Sequence, residues 1–484
     1  MQPKPNQLPV YIPLGEPELL FHPDRPNDTH RHPLEGLLKY GPFSRSLRQP
    51  VSDPIRIAVI CPEGSFPKVR GLFGQLQVSH TPRERKNYLP SFPGFAKVFG
   101  VGIDCPQDVR DGRVVQIGVR EIQAALNSET PPERLAELVH RGLRRLHSIQ
   151  SQFDVAVLYF PDWCSLGFRS LAEDETADYD LHDSIKGLCS SLYIATQLIR
   201  DHSMEYFCRC SVAWRLSIAL YAKAGGTPWK LAGMDERTAY VGIRYCVRKG
   251  KENRFVTCCS QLFDSKGTCL RFLLHESQDG RYEGDNPYLP RHDMHRVMSR
   301  VLSQYQRHSS WAPTRVVVHK TTQFTEDEID GCCDAFSSVD NLELLTVNQN
   351  TAWRGIKYNS GPLVNGQRKP ATATGYPLDR GIILPIGHFD FLLWVQGDCV
   401  LKNGKNYFKE GKGIPHPLLI TRHLGSGGFH LPAWEILGLS KMDWNNDSLY
   451  NYIPVTLQYS AVLSRVVKRT GSLSSSPYDF RYFF

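Results

Sequence analysis

Apolar residues form two kinds of pattern along this chain. Ile55-Arg56-Ile57-Ala58-Val59-Ile60, Phe153-Asp154-Val155-Ala156-Val157-Leu158-Tyr159-Phe160 and Arg315-Val316-Val317-Val318-His319 are short, β-branched runs of the length of buried strands. The first two end at Cys61-Pro62-Glu63-Gly64 and Pro161-Asp162, turn signals that send the chain into loops. Between them Leu135, Leu138, Val139, Leu143 and Leu146 recur at helical spacing behind Pro131-Pro132, which predicts a helix over 133–148. Strands alternating with helices predict parallel β-α-β units and a doubly wound sheet. Ligands of such sheets bind beyond the carboxyl ends of the strands.

Past Gly225-Gly226-Thr227-Pro228 the pattern changes. Three strands are predicted at 239–245, 255–258 and 269–274, then a helix through Met294, Val297, Met298, Val301 and Leu302, then the 315–319 strand. That order is the order of an RNase H-like domain. The fold class read from the sequence is α/β, a Rossmann-like unit over 55–225 followed by an RNase H-like unit over 226–484. Residues 1–54 begin rich in proline and histidine and read as an arm packed on a later domain, with Val10-Tyr11-Ile12 and Leu19-Leu20-Phe21 able to pair as strands. The tail, Arg481-Tyr482-Phe483-Phe484, is too apolar for water and is expected to be buried.

Charge narrows the partners. Lys plus Arg number 57 against 49 Asp plus Glu, a balance that favours a polyanion. The thirteen cysteines include two adjacent pairs and no C-x-x-C, which argues against a disulfide framework or a structural zinc and suits a reducing cytosol. No apolar run approaches the ~20 residues of a membrane span, and Met1 to Asn6 lacks an apolar signal region. A soluble, cytoplasmic protein without membrane contact is expected.

One stretch carries its charge in a pattern suited to a terminal phosphate. His182 and Lys186, spaced i, i+4, share one face of a predicted helix. Gln197 follows about one element later and is also read as helical, and Lys223 closes a second apolar helix. If these helices pack together, several charge-assisted donors converge, as a phosphate requires, and helix N-terminal amides would add to them. Taken singly, each residue has a plainer role as a solvated lysine or a capping histidine.

Taken in order, and closing on Leu220-Tyr221-Ala222-Lys223-Ala224-Gly225-Gly226-Thr227-Pro228-Trp229, the set resembles the MID domain of Argonaute proteins. The blocks 316–329, 441–447 and 453–460 resemble their PIWI domain. The likeness covers roughly 55–484 and implies a short prokaryotic Argonaute of MID and PIWI only. It implies that His182, Lys186, Gln197 and Lys223 hold the 5′ phosphate of a guide strand, with Mg²⁺ coordinated there by Gln197 and the terminal carboxylate of Phe484. Contacts to the nucleic-acid backbone are expected from Lys468 and Arg469, and as weaker candidates from Lys357, Arg368, Lys369, Lys402, Lys405, Lys409, Lys412 and Arg465.

Slicing members of the family hold two Mg²⁺ ions with a cluster of carboxylates. The matching positions here read Arg244, Thr321 and Ser460 or Ala461, and a cation in place of a carboxylate repels both metals. Nearby acids read otherwise: Asp279, Glu283 and Asp285 as a surface loop, Glu326, Asp327 and Glu328 as the first turn of a helix. No catalytic residue is expected. The resemblance thus implies RNA-guided recognition of invading single-stranded DNA. The expected partner is an APAZ-containing protein with a sirtuin-like or TIR NADase effector, joined as a heterodimer that can assemble further on activation. The alternative is an autonomous guide-dependent nuclease with an unconventional active site.

Overall fold

Val155–Phe160 is buried at every position, as a parallel strand covered on both faces must be. It belongs to the first of the two large sheets in the computed structural model. The structure describes residues 10–47, 51–168, 179–235, 237–249, 254–264, 268–277, 279–284, 286–309, 311–359, 363–368, 372–375, 377–400, 406–408, 413–470 and 477–483. In the first sheet β1 (Ile55–Pro62), β2 (Val114–Ile117), β3 (Val155–Phe160) and β4 (Thr196–Arg200) run parallel, with β1 between β2 and β3 and β4 at the outer edge. Helices α1 (Phe66–Leu76) and α4 (Arg209–Lys223) cover one face; α2 (Pro131–His147) and α3 (Leu181–Leu192) cover the other. The doubly wound arrangement and the helix behind Pro131-Pro132 match the sequence reading. Gln197 does not: it lies on the edge strand β4, not on a helix.

The second sheet begins with an antiparallel meander of β5 (Thr238–Lys249), β6 (Arg254–Phe263) and β7 (Cys269–Ser277). After α5 (Arg291–His308), β8 (Arg315–Lys320) joins parallel to β5; after α6 (Glu326–Ala335), β9 (Asn341–Asn348) joins parallel to β8. The resulting order β7-β6-β5-β8-β9 is the RNase H-like arrangement. Three further antiparallel strands, at Ile382–Pro385, Asp390–Leu393 and Leu418–Leu424, extend it beyond β9. Helices α5 and α6 pack on one face, while α7 (His430–Leu439) and α8 (Val455–Thr470) lie on the other. Thr325 and Glu328 form a capping box at the start of α6, so this acidic run is a helix start, as expected.

The arm does pair as short strands, but with distant parts of the chain. Ile12–Pro13 adds the outermost strand of the large sheet beside Ile382 and Ile383, and Leu19–Leu20 pairs with both Thr29–His30 and Lys230–Leu231. Glu16 ties the arm down by reaching Arg380 at 2.8 Å and Lys441 at 2.7 Å. Burial would raise its pKa, but the two cations outweigh this and hold the carboxyl below its usual range.

Candidate functional site

The strand period turns Thr196 and Gln197 to opposite faces of β4. Each meets a lysine from the helix on its side. Lys186 of α3 donates to the Thr196 carbonyl at 3.0 Å and to its hydroxyl at 3.2 Å. Lys223, the last residue of α4, donates to the Gln197 amide oxygen at 2.5 Å. Two helices on opposite faces thus bring their ammonium groups together around one sheet edge. Both lysines are only 2% exposed. Burial pulls the Lys186 ammonium down to about 8, and burial followed by repulsion from Lys186 pushes Lys223 well below the usual lysine range.

His182 stands one turn before Lys186, with its side chain 39% exposed at the rim. Asp180 caps α3 by accepting from the His182 and Asp183 amides at 2.9 and 3.3 Å. Asp180, His182 and Asp183 bring potential ligand atoms within 4.8 Å of one another. The Asp183 carboxylate is already committed, however: it receives Arg465 at 2.9 Å and Arg469 at 2.5 Å from α8. Burial would raise Asp183, but His182 and the two arginines outweigh it and hold the carboxyl at about 2. Two guanidinium groups on one carboxylate leave it poorly suited to a metal. This clamp fastens the second half of the chain to the helix that supplies Lys186. At the same crossing, a β-carbon on Gly187 would come within 2.5 Å of the Thr470 side chain.

A cavity of about 250 Å³ opens beside Gln197, lined by Ile199, Arg215, Leu216, Ala219 and, from beyond α7, Asn445. The pocket therefore runs from the edge strand to the segment beyond its carboxyl end, where His202, Ser203 and Tyr206 complete the lining. The tail passes close by. Phe480–Tyr482 forms a 3₁₀ turn, Tyr482 packs edge-on against Tyr193, and Arg481 lies beside Gly225 just after Lys223. Phe483 is 1% exposed against Phe272 and Tyr478, in line with the burial expected of this tail. Phe484 lies outside the described residues. The Gln197 amide oxygen accepts from the Lys223 ammonium and keeps a second lone pair.

The positions matching a nuclease cluster meet in the interior of the second sheet. The β5–β8 register pairs Gly242 with His319 and Ile243 with Lys320, so Arg244 and Thr321 follow one step further along adjacent strands. By the strand alternation both face α8, where Gly242 meets Thr456 and Ser464 reaches the Tyr245 carbonyl. Ser460 is fully buried, its hydroxyl donating to the Leu457 carbonyl. Tyr245 and Lys320 turn the other way: Lys320 pairs with Glu328 at 2.5 Å, and Tyr245 donates to Glu328 at 2.7 Å. Glu328 is therefore spent on the fold. Asp327 pairs with Arg281 at 2.5 Å, and Asp279 is 76% exposed.

No protein-family model matches the sequence. The chain is 25% identical over 299 residues to "Protein argonaute" of Cereibacter sphaeroides, a match covering 58% of this chain and 36% of that protein. Its structure superposes on Clostridium butyricum Argonaute, bound to a guide DNA and a 19-mer target DNA, with a TM-score of 0.64 and 14% identity over 98% of this chain and 54% of that one. Drosophila Piwi follows at 0.60, with 16% identity, 98% of this chain and 56% of that one. The chain is Argonaute-like. It spans about half the length of the Argonaute structures it matches, and within that span the first sheet corresponds to the MID fold and the second to the PIWI fold.

Placed on this Argonaute-like frame, the backbone candidates separate. Lys468 is exposed on α8, while Arg469 is drawn inward to Asp183 and Asp180. Arg465 shares that clamp, and Lys357 pairs with Asp379 at 2.6 Å. The Arg368 side chain and residues Lys369, Lys402, Lys405, Lys409 and Lys412 lie outside the described set. Sequence reasoning missed Asp183 and Asn445. Asp183 could have been flagged only as a first-turn acid, since its partners stand 282 and 286 residues away.

Proposed function

We propose that this chain binds the 5′-phosphorylated end of a guide strand at the MID edge and presents the rest of the guide for pairing with a target. The observation that carries this reading is the meeting of two buried lysines and Gln197 around β4, which sets two cationic side chains at one sheet edge where a phosphate takes several charge-assisted hydrogen bonds. The open cavity beside Gln197 gives the first nucleotide somewhere to lie. The ammonium groups supply positive charge to the phosphate, and the Gln197 amide holds Lys223 in position. Mg²⁺ there would take the second lone pair of the Gln197 amide oxygen and add positive charge beside the phosphate.

In this reading the guide is RNA, the target is single-stranded DNA and the target is not cut. Arg244, Thr321 and Ala461 offer no carboxylate where two metals would be held. A module that leaves its target intact keeps its own signal, which suits activation of an APAZ-containing NADase partner. The first test is affinity for matched 5′-phosphate and 5′-hydroxyl guides: a strong preference for the phosphate is expected, and equal binding would refute the reading. Target-dependent NAD loss on adding the partner tests the downstream step. Cleavage in Mg²⁺ or Mn²⁺ that is abolished by Asp279→Asn or Glu283→Gln would favour the nuclease alternative.

A further inference from the structure

The surviving strand end in the PIWI half is not electrostatically empty. Buried arginines elsewhere in this half engage carboxylates: Arg315 binds Glu343 and Glu435, Arg380 binds Glu16, and Arg422 binds Glu343. Arg244 differs. Partly exposed in the middle of β5, one step past the end of its pairing with β8, its side chain makes no hydrogen bond or ion pair with any described residue. Thr321, one step past the end of β8 on the same face, has a side-chain hydroxyl that is likewise unengaged among the described residues. Thr456 holds the His319 ring at 2.9 Å, and burial, followed by Arg315, keeps that ring uncharged at physiological pH.

We infer that Arg244 and Thr321 form a metal-free clamp for one backbone phosphodiester of the guide–target duplex. This rests on the guide-binding reading above. The geometry favours it on two grounds. A guanidinium offers a planar fork of donors that matches two phosphate oxygens, and it needs no metal to neutralise them. The rigid support is also present, since Gly242 lets α8 press directly on β5 two residues before Arg244. Arginine at this position then holds by its own charge the kind of group that two cations would otherwise draw in. It grips without activating a water, because no described carboxylate stands beside it to accept a proton.

The test uses the guide-loaded full chain and compares the parent with Arg244→Gln and Arg244→Lys. Target affinity is measured across a salt series, with guide affinity measured separately. Arg244→Gln is expected to weaken target binding about ten-fold and to reduce the salt slope by about 1, equally for unrelated target sequences and with guide affinity unchanged. Arg244→Lys should keep the slope and lose only part of the affinity. A scan of single neutral methylphosphonate linkages along each strand should find one that matters in the parent and not in Arg244→Gln, which also identifies the strand gripped. Unchanged affinity and slope, or a linkage effect identical in parent and variant, would overturn the clamp. A parent that binds 5′-phosphate and 5′-hydroxyl guides alike would instead overturn the reading on which it rests.

Discussion

A β-carbon built on Gly242 would lie 2.1 Å from the carbonyl oxygen of Thr456. The obstacle is helix backbone, not the end of a flexible side chain. Gly242→Ala must therefore lift α8 from the sheet, and overpacking of this kind costs about 1–3 kcal/mol or more. We expect the variant to lose about 3 kcal/mol, read by equilibrium denaturation. A variant as stable as the parent would contradict the packing.

Removing the two pocket lysines should separate binding from stability. Lys186→Ala with Lys223→Ala is expected to cost several kcal/mol of guide affinity, since hydrogen bonds to charged groups are worth ~1.5–3 kcal/mol each. The preference for a 5′ phosphate should vanish with it. Lys186→Met with Lys223→Met, which keeps the apolar stems, should also lose the preference while changing the thermal midpoint only as much as a core swap of similar volume. A large fall in midpoint for the methionine pair would make these residues structural instead.

Proton linkage at Lys186 has opposite signs for folding and for binding. Its pKa is lowered in the fold to about 8, below the ordinary lysine range, so its penalty on the folded state is full below about pH 8 and fades as pH rises towards about 10.5. Phosphate binding needs the charged form and should weaken over the same interval. Affinity for 5′-phosphate guides is expected to fall above about pH 8, with 5′-hydroxyl guides much less affected. Parallel curves for the two guides would remove Lys186 from the contact.

The Asp183 clamp predicts acid lability. Its carboxyl is held at about 2, so its contribution to stability is present above its ordinary pKa of about 4 and is lost as pH falls towards 2. Asp183→Asn should leave Arg465 and Arg469 facing each other and cost about 3–5 kcal/mol. The variant should also lose part of the parent's acid-induced fall in stability between those limits. Thermal denaturation of both proteins across that range checks the pairing.

Arg244→Asp alone should not create a nuclease. It supplies one acid, while Thr321 and Ala461 still supply none, and two metals need several. Incubation with guide, labelled target and Mg²⁺ or Mn²⁺ should leave the target intact. Specific cutting by this single variant would show that other acids complete the cluster.

Much of this fold was legible where neighbours in sequence decide the outcome. The β3 run, the helix behind Pro131-Pro132 and the Thr325–Glu328 box each carry their instructions within a few residues. Gln197 was misread because Thr196-Gln197-Leu198-Ile199-Arg200 is short and half polar, as an edge strand with one side towards a cleft must be. The convergence of Lys186 and Lys223 follows from their helices lying on opposite faces of one sheet, which the periodicity of either helix alone does not reveal. The clamp on Asp183 was invisible for a simpler reason: only the tertiary fold brings α8 to α3.

Glu16 bears on how this protein is assembled. Its two partners are made 364 and 425 residues after it, and until they arrive the acid has nothing to neutralise it. The opening segment must then wait, unsettled, while nearly everything else is synthesised. When it finally docks, Glu16 relieves two cations, Arg380 and Lys441, that are almost fully enclosed. A version trimmed ahead of Pro17 should therefore emerge as a poorly closed particle, prone to clumping, however well the remaining chain is formed.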